Sequence, residues 1–181
     1  MHDLHPSEKI FISLVLPCAG IWLGLQKLTK LISQQSEENI MPEAVIVATG
    51  RTPIGRAGKG SLVEARPDDM SAFIVDAVLN KVPELPREEI EDVIWGTAQP
   101  GGEQGFNLGR VVSLLAGLEA PGVTVNRYCS SSLQTIRMAA HAIMAGEGDA
   151  FVAGGVDCVS RYGYGASDTA SHNEKFSEAE A

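Results

Sequence analysis

Cysteine is scarce in this sequence and scattered. Cys18, Cys129 and Cys158 are the three thiols of a 181-residue chain. That count and spacing exclude a disulfide framework and a zinc-ligand cluster, so no metal is expected. They suit a reducing, cytoplasmic setting. Basic residues are also few, with 14 Lys and Arg against 23 Asp and Glu for a net charge of −9. Residues 1–40 hold 3 basic and 4 acidic side chains, leaving 11 and 19 for residues 41–181. No basic stripe appears in either part, which argues against nucleic acid as a partner. The apolar run Ile10–Leu25 has 16 residues and is broken by Pro17. It falls short of the roughly 20 needed to span a bilayer, so no membrane span is expected. A signal peptide fits poorly, because Asp3 and Glu8 occupy the leading segment and no small-x-small site follows.

A phosphate-binding loop is missing as well. Gly55–Ser61 has the letters of a P-loop, but Lys59 is followed by Gly60, and Pro53 stands five residues ahead of Gly58. Gly101–Gly105 does not follow the GxGxxG spacing. No bound nucleotide cofactor is expected.

What remains is an ordinary globular composition, 44% hydrophobic and 20% charged, with length for one domain. Residues 1–40 read as an N-terminal extension ending in the polar linker Ser33–Asn39, with Met41 as the natural start of the domain. From there, strand and helix patterns alternate. Ala44–Thr49, Asp92–Gly96, Gly122–Val125 and Ala150–Gly155 have strand character. Helices are expected from Pro67, from about Asn107 to Leu118, and from Ser130 to about Ala145. The first opens on Pro67-Asp68-Asp69, with Met70, Phe73, Ile74, Ala77 and Val78 as its apolar face. Repeated βα units predict an α/β fold, a mostly parallel βαβαβαβ sheet with helices on both faces. The third helix is apolar or small nearly all round, and one sheet covers only one of its sides. Residues 161–181 read as the start of a loop region with no convincing element.

The organising stretch is Val123–Gln134. A β-branched run ends there, Cys129 follows, and the third helix begins. This layout lifts a side chain into the open at the end of a parallel sheet. Backbone N–H groups at a helix start are unpaired and the macrodipole is positive there, which favours a thiolate nucleophile. The alternative is an inert, packed cysteine. Ser130, Ser131 and Ser132 favour an open helix start over an apolar pocket. No Asp, Glu or His is an evident base for Cys129: His141 lies too deep along the helix, and His172 falls in the polar tail.

Several motifs together resemble the N-terminal half of the thiolase family. They are Arg51-Thr52-Pro53-Ile54-Gly55, Gly105–Arg110, the Asn126–Gln134 nucleophile signature, and Gly146–Asp149 through Gly154–Ser160. They follow the family order over Met41 to about Ser160. The Cys-Ser-Ser-Ser-Leu run also resembles ketoacyl synthases, but the Arg-Thr-Pro loop and the Asn126-Arg127 pair favour thiolase. The resemblance implies that Cys129 takes an acyl group from a CoA thioester, in thiolytic cleavage of a 3-ketoacyl-CoA or the reverse condensation. Coenzyme A and its acyl thioesters are then substrates, with no permanently bound cofactor. The family completes its site with histidines and a second cysteine from a C-terminal half absent here, and it stacks two similar halves around the third helix. The expectation is thus a truncated, inactive fragment, with the intact protein a homo-oligomer, dimer or tetramer. A non-catalytic, thiolase-like interaction module is the alternative.

Overall fold

The computed structural model describes residues 42–162; the expectations for residues 1–40 and for 163–181 lie outside them. Three parallel strands run through the described part. β1 (Asp92–Gly96) is central, flanked by β2 (Gly122–Val125) and β3 (Phe151–Gly155). Gly96 stands level with Val125 on one side and Gly155 on the other, so all three strands end along one edge.

Three helices connect and cover this sheet: α1 (Pro67–Leu79), α2 (Leu108–Leu115) and α3 (Ser131–Ala145). α1 begins where Pro67 has no N–H to leave unpaired, with Asp68 and Asp69 against the positive end of the helix. The Asn107 side chain caps α2 by accepting from Arg110 N. α3 stops at Gly146, which adopts φ +72°, a left-handed C-terminal cap.

Alternation along β1 divides the packing. Val93 and Trp95 join Val75 and Leu79 of α1 and Leu108 and Val112 of α2 in one buried cluster. Trp95 Nε1 donates to Ser71 Oγ at 3.1 Å, and Ser71 donates to Pro67 O at 2.6 Å, so these two buried polar groups satisfy each other and the helix start. Ile94, of opposite parity, is buried toward the face that α3 covers. α3 buries only Ser131, Thr135 and Ala139, while Leu133 stays 69% exposed and Ile136 42%. One side of this helix, apolar or small nearly all round, is covered, as a single sheet predicts.

Two expectations need correction. Ala44–Thr49 has strand composition but belongs to no strand, so the sheet of the described residues has three members where four were expected. A strand exists only by its ladder, and an apolar cavity of about 660 Å³ lies between this run and β3. β3 pairs with β1 alone, and Val45, Ile46 and Val47 are exposed. Among the described residues, the end of the run is held by Lys81 Nζ donating to Thr49 O at 2.6 Å. The second correction concerns α1. Its buried positions are Pro67, Asp68, Ser71, Ala72, Val75 and Leu79, whereas Phe73 is exposed and Met70, Ile74 and Val78 border the cavity. Of the expected apolar stripe, Met70, Ile74 and Val78 line the cavity, and Ile74 also packs against the buried cluster. Apolar periodicity identifies the helix, but packing selects the adjoining face.

Candidate active site

β2 ends at Val125, and the next five residues make a tight turn into α3. Asn126 starts it: its Oδ1 accepts from Tyr128 N at 2.8 Å, an Asx turn two residues wide. Its Nδ2 donates to Ala98 O at 3.2 Å, tying the turn to the loop after β1. Tyr128 adopts φ +50°, left-handed backbone that costs a non-glycine residue about 1 kcal/mol. Ser131 Oγ locks the far side, accepting from Arg127 N at 2.9 Å and donating to Tyr128 O at 2.7 Å. Arg127 reaches forward to Gln134 Oε1 at 2.8 Å, bracing the first turns of α3. The bond pattern enforces the strained residue.

Cys129 occupies the crest of this turn. It is exposed, whereas Cys158 is buried at 7% exposure with Sγ 3.6 Å from Ala65 O. Among the described residues Cys129 Sγ has no hydrogen-bond partner. The two thiols thus separate into one open to a reagent and one packed. Ser130 is the N-cap of α3, which places Cys129 immediately outside the helix. The expectation of free N–H groups over Cys129–Ser131 needs trimming here. Ser130 N donates to Arg127 O at 3.1 Å and Ser131 N to Tyr128 O at 3.0 Å, so both are spent within the turn. The described residues contain no cluster of metal-ligating side chains. His141 is the eleventh residue of α3, ten on from Ser131, nearly three turns from the end that carries Cys129.

A second set of residues, not singled out as site residues from the sequence, lies behind the turn. Asp157, just beyond β3, accepts through Oδ1 from Thr97 Oγ1 (3.1 Å), Ala98 N (3.1 Å) and Gln99 N (3.2 Å). Its Oδ2 accepts from Ala98 N at 3.1 Å. Gln104, 1% exposed, donates to Gln99 O at 2.8 Å and to Thr97 Oγ1 at 3.2 Å, and accepts from Cys158 N. Thr97 and Gln104 are polar residues that lie inside the fold because every one of these bonds is made. In the sequence Gln104 sits in a glycine-rich loop and Asp157 after a Gly-Gly pair, and neither position reveals a partner more than fifty residues away.

An ion network secures the Gln104 loop. Glu103 takes Arg161 Nε at 2.6 Å and Arg66 Nη1 at 3.0 Å, and Arg66 also pairs with Asp68 at 2.6 Å. The Arg161 hydrogen bond, followed by the charges of Arg161 and Arg66, holds the Glu103 carboxyl below the usual carboxylate range, against its burial and Asp68. A carboxyl depressed in the folded state stabilises it above the unfolded pKa and loses that contribution as pH falls through the folded value. Glu103→Gln is therefore expected to lower the denaturation midpoint at pH 7. It should also flatten the wild-type loss of stability on acidification below about pH 4.5, measured by urea titration across pH.

With this geometry in view, the chain belongs to the thiolase family: the thiolase N-terminal domain matches residues 44–181. Curated relatives agree. The chain is 46% identical over 119 residues to a 3-ketoacyl-CoA thiolase of Idiomarina loihiensis, covering 65% of this chain and 31% of that protein. A 3-ketoacyl-CoA thiolase of Bacillus subtilis is 48% identical over 123 residues, covering 67% and 31% respectively. One from Shewanella denitrificans is 50% identical over 119 residues, with 65% and 31% covered. The chain therefore spans about a third of the length of the relatives it matches. No helix among the described residues is long and apolar enough to cross a membrane.

Proposed function

We propose that this chain carries the nucleophile of a thiolase-type acyltransferase. Cys129 attacks the carbonyl carbon of an acyl-CoA, the C–S bond to coenzyme A breaks, and the coenzyme leaves as its thiol, with the acyl group held on Cys129 Sγ. The observation that carries this reading is the exposed sulfur on a strained turn, directly ahead of α3 and at the C-terminal edge of a parallel sheet. The names of the curated relatives give the substrate class, a 3-ketoacyl-CoA. Thiolytic cleavage is the forward reading and condensation of two acyl-CoAs its reverse. Acyl-CoA is substrate throughout and no permanently bound cofactor is required.

The 181 residues supply this nucleophile without a hydrogen-bonded base among the described residues, so the isolated chain is acylable but turns over poorly. Oligomer formation and a cytoplasmic setting are carried in the same proposal. Incubation of the whole chain with acetyl-CoA, followed by peptide mass spectrometry, should place one acetyl group on Cys129. The adduct should vanish in Cys129→Ser. An acetyl group on another residue, or an adduct that survives the substitution, overturns the nucleophile assignment. Sustained thiolysis of acetoacetyl-CoA at the rate of a full-length thiolase overturns the assignment of this chain as an incomplete enzyme.

A further inference from the structure

The peptide unit joining Ala98 to Gln99 is gripped at both ends. Its N–H, on Gln99, donates to Asp157 Oδ1 at 3.2 Å; its carbonyl, on Ala98, accepts from Asn126 Nδ2 at 3.2 Å. The preceding unit is held similarly, with Ala98 N on both carboxylate oxygens at 3.1 Å. Its carbonyl, on Thr97, is reached by Ser131 Oγ at 3.4 Å. Asp157 thus holds one side of the 97–99 loop, and the other side of the same loop holds Asn126. Ser131 Oγ makes a longer contact there, because its proton goes to Tyr128 O at 2.7 Å; Asn126 and Ser131 bracket Cys129. Asn126 in turn fixes Tyr128 N, whose left-handed backbone presents the thiol.

We infer that Asp157 is a positioning residue for Cys129, acting through the 97–99 loop and Asn126. Charged acceptors make the stronger hydrogen bonds, and a carboxylate is the side chain that can take several converging N–H and O–H donors without offering a competing proton. Gln104 completes the grip by donating to Gln99 O and, at 3.4 Å, to Asp157 Oδ1. The loop is consequently a rigid strut between the end of β3 and the turn after β2, crossing the end of β1. The inference rests on the nucleophile assignment for its meaning, but its test does not require acyl transfer.

The test is a double-substitution cycle on the full chain, read by the rate at which iodoacetamide alkylates Cys129, with Cys158 followed separately by peptide mapping. Loss of the strut frees the turn and moves the thiol away from the positive end of α3, so Asp157→Ala slows alkylation about two- to fivefold, the size of a helix-terminus charge interaction. The opposite sign belongs to a purely through-space effect, since deleting a negative charge favours the thiolate. Asn126→Ala slows the reaction similarly, and the double variant is no slower than Asn126→Ala alone. Asp157→Asn keeps one acceptor oxygen and falls between wild type and Asp157→Ala; it replaces the alanine in the cycle if that variant does not fold. Rates at or above wild type in the folded Asp157 variant, or effects of the two substitutions that multiply, overturn the inference. Slow alkylation of wild-type Cys129 relative to Cys158 would instead strike the nucleophile assignment, a separate outcome.

Discussion

Gly109→Ala is expected to leave the chain without a cooperative unfolding transition. Gly109 is in the first turn of α2, and a Cβ added there would lie 2.3 Å from Val123 O and 2.7 Å from Val123 N and C. The approach is mutual: a Cβ on Gly122 would meet Arg110 N at 2.3 Å. Here a helix backbone rests directly on a strand backbone, and neither can yield as a flexible side chain would. Asn107 and Thr124 lock the same junction. Asn107 Nδ2 donates to Gly122 O at 2.6 Å, and Thr124 Oγ1 accepts from Gly109 N at 3.1 Å. A methyl group must break these bonds and draw Leu108 and Val112, both fully buried, off the sheet. Overpacking ordinarily costs about 1–3 kcal/mol; against rigid backbone with lost hydrogen bonds the total exceeds about 4 kcal/mol. A domain of this size has only about 5–15 kcal/mol in hand. Circular dichroism during urea titration should show a broad or absent transition for Gly109→Ala. Gly117→Ala serves as the control, because its added Cβ meets nothing within 4 Å and strains only its own φ of +72°. That control should cost about 1 kcal/mol.

The Gly109 contact also illustrates what the sequence can and cannot disclose. Asn107-Leu108-Gly109-Arg110 is visible as a helix start, since an Asn before an apolar periodic run is a local signal. Its dependence on Gly122 is a tertiary fact with no local trace. The same division runs through the site. Cys129 is legible because strand, turn and helix are contiguous in the chain and their patterns change abruptly around it. Asp157, beyond β3, meets Thr97 and Gln104 of the β1–α2 connection, and each taken alone is an ordinary polar residue. Buried polar residues are found by their partners, and partners come from folding. The strand expectation at Ala44–Thr49 failed for a related reason. Val45, Ile46 and Val47 have the right side chains, but a ladder needs a neighbouring backbone, and β3 stands across a cavity from them. The α1 and α3 residues that border that cavity show as apolar faces in the sequence, whatever lies opposite.

Gly96→Ala should separate positioning of the nucleophile from stability of the domain. Gly96 closes β1, and an added Cβ would meet the Ser131 carbonyl carbon at 2.8 Å and both Ser131 Cβ and Ser132 N at 2.9 Å. The first turn of α3 must therefore lift from the sheet. Ser131 Oγ carries the turn around Cys129 through Arg127 N and Tyr128 O, so the thiol moves with it. The clash is milder than at Gly109, with no backbone contact under 2.8 Å, and α3 already has one exposed face into which to shift. About 1–3 kcal/mol of stability is expected to be lost, leaving a folded chain. Reactivity should suffer more. A misplacement of about 1 Å at a reacting group can cost about 10²-fold in rate, and acetylation of Cys129 by acetyl-CoA should fall by roughly that factor. Gly117→Ala, with its strain confined to the end of α2, should acetylate at the wild-type rate. Measuring both variants at matched folded fractions checks the point. Equal acetylation rates for Gly96→Ala and wild type would show that the seat of α3 on β1 does not set the position of the sulfur.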